Sequence, residues 1–247
     1  MNIANEIERI QTAKSDIKTT IEEKGVIVGD GRIDTYAEKI GEISSGGTDY
    51  LKYATTAKFN NLNLFESSTV ELNISLVKDY SSMISDTVAN TTVEHLIING
   101  ATNGIITTAL SGFNANTTAK DTKLKRITFN CVFSKCARFD VMLANRNALE
   151  IIDGIPINFS SATTIGNFNS GNYFLKEIRV VEKTIKVSIA FSNTANLSDD
   201  SVQSIIDGLA DLTGGTQQTL TFSSGVGSKL TDEQKAIITS KNWGLVY

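Results

Sequence analysis

Residues suited to nucleophilic or metal chemistry are scarce in this chain: one histidine, His95, and two cysteines, Cys131 and Cys136. A zinc site needs several convergent Cys, His or carboxylate ligands, and a lone C-x4-C with one distant histidine does not supply them. The two thiols could bridge only if the backbone brought their Cα atoms within roughly 7 Å; the favoured reading is two free, partly buried thiols in a reducing compartment. His95 sits in Val93–Ile98 (VEHLII), a strand-like run with no Ser, Cys or Asp motif around it, so a structural role is expected over that of a general base. Asp199-Asp200 and the Asp30 to Asp34 stretch lack the calcium-loop pattern and read as a helix start and a turn. Gly225-Val226-Gly227 matches neither a phosphate loop nor a dinucleotide fingerprint. Glycoside hydrolysis needs two carboxylates ~5–10 Å apart, which any acidic chain can supply by chance, so a depolymerase stands as the least favoured of three readings. No catalytic, cofactor-binding or metal-ligating residue is assigned, and a non-enzymatic role is expected.

The elements around these residues belong to a folded chain. Of 247 residues, 40% are hydrophobic and 20% charged, with a net charge of −4, a balance unlike that of disordered or nucleic-acid-binding chains. Pro156 and Trp243 are the single proline and tryptophan, set against abundant Asn, Thr and Ser. The first two dozen residues are charged throughout and do not read as a secretory signal, and no run approaches ~18 apolar residues, so neither export nor membrane insertion is expected.

Ile3, Ile7, Ile10, Ile17 and Ile21 follow heptad spacing, with Lys14 filling the remaining core position. Ile3, Ile10 and Ile17 then occupy a, while Ile7, Lys14 and Ile21 occupy d, and isoleucine at both favours trimers or tetramers over dimers. The alternative is an amphipathic helix packed on its own chain. Gly25 suits a helix C-cap, Asp30-Gly31 a hairpin turn, and residues 33–43 a second helix. Ser44-Ser45-Gly46-Gly47 reads as a flexible linker, dividing a helical attachment and oligomerisation module (1–47) from the rest (48–247).

Beyond it, short alternating runs start at Val70, Val93, Leu124, Leu149 and Leu175, spaced 23, 31, 25 and 26 residues apart. That bracket matches a leucine-rich repeat, one short strand per unit in a shared sheet, although a five-strand sandwich could mimic it. The charged residue after each anchor should face away from the core. Near the end, residues 184–191 read as a strand. Ser198 reads as the N-cap of a helix carrying Val202, Ile205, Ile206, Leu209 and Leu212, ended by Gly214-Gly215. Gln218–Phe222 returns as a strand, Thr231 opens a helix with Gln234 placed for a capping box, and Trp243 begins a last strand. The expected fold class is therefore α+β: an N-terminal coiled-coil-like module followed by an irregular leucine-rich-repeat-like β/α solenoid with a β/α cap.

Two stretches add a resemblance. Ile10 through Val26 (IQTAKSDIKTTIEEKGV), continuing to Asp34–Ile40 (DTYAEKI), resembles a module at the N-termini of phage tail, baseplate and head-fibre proteins. Ile206 through Phe222 (IDGLADLTGGTQQTLTF), with Leu230–Gln234 (LTDEQ) and Lys241-Asn242-Trp243, is similar to the end of phage structural proteins with BspA-like leucine-rich repeats. Together they cover about a third of the chain, and the middle departs from the leucine-rich consensus. The resemblance implies a virion component made in the host cytoplasm, its N-terminal module anchoring to other virion proteins and its repeat domain projecting. A second reading is an adhesin contacting a host-surface glycan or protein, for which Phe113, Phe139, Phe159, Phe168, Tyr173 and Phe174 are candidate contacts, though most of them fit a core.

Overall fold

The computed structural model describes residues 3–23, 36, 62, 65–74, 84, 89–100, 123–140, 142–166 and 168–247. The fold is mixed α/β, with an N-terminal helix and sheets of parallel strands, and the chain divides into two compact units, Met1–Asp49 and Tyr50–Tyr247.

In the first unit, α1 (Ile3–Glu23) is one continuous helix of 21 residues. It contains no glycine or proline, and Arg9 pairs with Glu6 and Lys18 with Glu22 at the three- and four-residue spacings where helix side chains meet. The proposed hairpin, most of the second helix and the Ser-Gly linker lie outside the described residues; within that stretch Tyr36 is helical and buried.

The second unit is built on β1 (Thr69–Asn73), β2 (His95–Asn99), β3 (Arg126–Asn130) and β4 (Ile151–Gly154), all parallel and adjacent in chain order. Val70, Leu96, Ile127 and Ile152 align across this sheet, as do Leu72, Ile98 and Phe129, and all seven are buried. Register corrects one anchor. Val70 pairs with Leu96, and the position equivalent to Val93 on the first strand belongs to Ser67. The uneven spacing hid that shift, because Ser67 carries no hydrophobic signal. As expected, the charged residues after the anchors leave the core, Glu71, Lys125 and Lys176 being exposed and Glu94 and Glu150 partly so, while the carbonyls of Ser68, Glu94, Lys125 and Glu150 each accept from the next segment's leading amides. Beside this backbone ladder, Lys125 pairs with Glu94 at 3.8 Å and Lys176 with Glu150 at 2.8 Å.

Pairing then continues by single bridges, Ile151 with Glu177 and Ile157 with Val180. A second parallel sheet follows in the order β5 (Ile189–Phe191), β6 (Gln218–Phe222), β7 (Trp243–Val246), interleaved with α2 (Asp199–Gly208), α3 (Ser224–Gly227) and α4 (Asp232–Ser240). Ser198 caps α2, accepting from the Ser201 amide, and Thr231 with Gln234 forms the full capping box of α4. Two expectations need correction. The strand drawn over 184–191 is confined to Ile189–Phe191, because Ile185 pairs instead with Leu209. That same pairing pulls Leu209 into extended backbone, so α2 ends at Gly208 rather than at Gly214-Gly215. Its last carbonyls are taken up by Lys241, whose Nζ donates to Ile206 O at 2.9 Å and Leu209 O at 3.0 Å. Gly154 closes β4 at φ +88°, where a Cβ would lie 2.5 Å from the Phe129 carbonyl oxygen, so no larger residue fits.

Alongside the singly bridged segment 176–180, where a further strand could pair, α2 stands instead. Its Ser201 hydroxyl accepts from the Ile178 amide and donates to the Lys176 carbonyl, both at 3.0 Å, and Ser204 accepts from the Val180 amide at 3.0 Å. Two helix hydroxyls thus satisfy a strand edge that would otherwise be open to pairing.

Candidate functional site

Parallel sheets usually bury both faces, yet the first sheet turns a polar row outward. Glu71, Thr128 and Asp153 share that row with Ile97, and Thr69, His95 and Arg126 share the adjoining one with Ile151. Alternation produces this directly, since the residues between them fill the core.

His95 lies half-buried on β2, its Nε2 at 2.8 Å from the Thr128 hydroxyl. Thr128 donates its one proton to Asp153 Oδ1 at 2.6 Å, so it must accept from His95. This assigns the neutral imidazole its proton on Nε2. Arg126 pairs with the other Asp153 oxygen. Burial, and then the Arg126 charge, push the His95 pKa down against the opposing pull of Asp153. Burial also acts to raise the Asp153 pKa, but hydrogen bonds from Arg126 and Thr128 with the nearby positive charge outweigh it and hold that carboxyl low. The pairing with Asp153 raises Arg126 in turn. A second cross-strand chain runs from Asn130 to Asn99, 2.9 Å apart, and from Asn99 to Glu71. Each of these networks ties three strands together, and the imidazole proton on Nε2 is donated to Thr128.

A groove of about 620 Å³ opens beside this network, lined by Asp153, Gly154, Glu177, Arg179, Asp200 and Ser204 among others. Its floor is the end of the sheet and its wall is α2. Among the described residues, the side chains of Glu177, Arg179 and Asp200 make no hydrogen bond or ion pair, and all three are exposed. Sequence reasoning had no access to this groove, because Asp153 and Asp200 come to line one groove only through the placement of α2.

The six residues assigned to self-association are distributed unevenly. Ile7, Ile10 and Ile17 are 51%, 53% and 38% exposed, a stripe of large apolar side chains facing solvent. Ile21 is buried, and Lys14 lies 6.0 Å from the centre of the Tyr36 ring, a cation–π arrangement. Ile3 is in the first turn of α1, and its side chain lies outside the described residues. The stripe is therefore open at Ile7, Ile10 and Ile17 and occupied at its C-terminal end.

The remaining candidates sort by burial. Phe139, Phe159 and Phe168 are fully buried, Tyr173 and Phe174 are 52% and 54% exposed, and Phe113 lies outside the described residues. Cys131 and Cys136 are buried thiols not joined in a disulfide, Cys136 donating to the Arg138 carbonyl at 3.3 Å, and burial pushes the Cys131 pKa up to about 12. Among the described residues no group of His, Cys, Asp and Glu is placed to hold a metal ion, and no helix is long and apolar enough to cross a membrane. No family model, no curated protein and no solved structure matches the chain.

Proposed function

We propose that this chain is a non-enzymatic structural protein of a phage particle, a tail, baseplate or head-fibre component. It self-associates through α1 and presents the second unit as an irregular leucine-rich-repeat-like solenoid. The observation that carries the reading is the exposed stripe of Ile7, Ile10 and Ile17 on a single long helix. Monomeric proteins rarely leave such a row of apolar side chains in water, and a second copy of the same helix offers a matching surface. Isoleucine at both heptad core positions favours a trimer. The solenoid reading draws its support from consecutive parallel strands in register and from polar side chains stacked strand on strand. The N-terminal module would dock on other virion proteins, and the net charge of −4 disfavours nucleic acid as a partner.

Light scattering of the full chain beside an Ile10→Asp, Ile17→Asp variant tests the assembly. A trimeric parent and a monomeric variant are expected; a monomeric parent at micromolar concentration would sink the self-association. A second reading, an adhesin contacting a host surface, is favoured by the outward polar face of the sheet and its adjoining groove.

A further inference from the structure

We propose that the groove between the sheet and α2 binds a neutral, polyhydroxylated glycan through Glu177, Arg179 and Asp200. This deepens the adhesin reading and does not depend on the oligomeric state. At about 620 Å³ the groove falls within the ~300–1,000 Å³ of small-ligand sites and suits a short oligosaccharide. Its polar groups divide into two sets. Asp153 is committed to Arg126 and Thr128, and the Ser201 and Ser204 hydroxyls to the backbone of residues 176–180, so these form rigid walls. Glu177, Arg179 and Asp200 make no side-chain hydrogen bond or ion pair among the described residues, although the Glu177 charge acts on Arg126, and they supply what remains: two carboxylates that accept and a planar guanidinium that donates in pairs.

Charge narrows the ligand class. The two free carboxylates and one free guanidinium nearly cancel, and the N-terminal end of α2 offsets Asp200 further. Such a lining holds no strong attraction for a polyanion and only a weak one for a polycation. Neighbouring hydroxyls on a sugar ring can donate to carboxylates and accept from a guanidinium without carrying charge of their own. The exposed, side-chain-free backbone of Gly154 leaves room for a ring to approach, while Ile152 and Ile178 beneath it are buried in the core.

Saturation-transfer NMR on the full chain, with maltotriose, cellotriose, mannotriose and chitotriose as probes and trilysine as a cationic control, tests this directly. At least one trisaccharide should bind at millimolar concentration. Arg179→Ala and the pair Glu177→Gln, Asp200→Asn should each weaken it by roughly tenfold, with the fold retained because all three side chains are exposed, Asp200→Asn losing only the weak helix-terminus interaction. Transfer from none of the four sugars overturns the proposal, as does transfer undiminished in the variants. Binding of trilysine alone overturns it in favour of a cationic ligand. Light scattering on the same samples separates the two failures: a trimer without sugar binding removes the site alone, and a monomer that binds sugar removes the assembly alone.

Discussion

The Nε2 proton of His95 is spent on Thr128, whose own proton is spent on Asp153, so the fold favours the neutral imidazole. Burial and Arg126 lower the His95 pKa below its ordinary value near 6.5. A base with a lowered folded pKa contributes stability that is complete above the unfolded value and is lost as pH falls through that value towards the folded one. Asp153, also lowered, loses its contribution only below the ordinary carboxylate range. His95 is the single histidine in the chain, so a fall in stability between about pH 7 and 5 should trace to it. Urea midpoints measured across that range are expected to decline in the parent and to flatten in His95→Gln, which keeps a donor for Thr128. An identical slope in both proteins would remove His95 as the cause. The placement of His95 on a strand was legible from alternation. Its partners were not, because Thr128 lies 33 residues on and diagonal across a parallel register that uneven spacing conceals.

Helix α2 shows how an element can stand in for a strand. Its start was legible: Ser198, followed by two aspartates, is a capping signature that depends only on local chemistry. Its end was not, since the pairing of Leu209 with Ile185 and the capping by Lys241 come from residues far along the chain. The edge role of Ser201 and Ser204 was equally hidden, because on a helix they read only as polar positions. Ser201 is 4% exposed, and its hydroxyl serves both the Ile178 amide and the Lys176 carbonyl. Ser201→Ala should therefore cost about 1–3 kcal/mol by stranding the Ile178 amide, while the Lys176 carbonyl keeps the Ser198 amide as a donor. Ser204→Ala should cost less, since Ser204 is only half-buried and water can replace its hydroxyl. Urea unfolding of the full chain gives both values, and a neutral Ser201→Ala would show that the edge needs no substitute.

The two units make opposite uses of apolar side chains, and substitutions in each should have separable effects. In the second unit, Phe129, Phe133, Phe139, Phe159, Phe168, Phe191 and Phe222 form one continuous column, successive ring centres lying 4.7–6.1 Å apart. Most meet edge to face, the arrangement that ring quadrupoles favour. The column runs from β3 through β5 to β6, so it links the two sheets through a core that no single strand could supply. Phe159, fully buried, packs between Phe139 and Phe168, and truncating it to alanine should cost about 3–5 kcal/mol. On α1 the apolar stripe is exposed, so replacing Ile10 and Ile17 by aspartate removes surface available to another copy without opening a cavity. Phe159→Ala should lower the melting temperature of the second unit while leaving the mass of the assembly unchanged below that transition. Ile10→Asp with Ile17→Asp should do the reverse. Calorimetry and light scattering on both variants read the two effects independently. A loss of mass in Phe159→Ala at a temperature where it remains folded would mean that the second unit, and not α1 alone, holds the copies together.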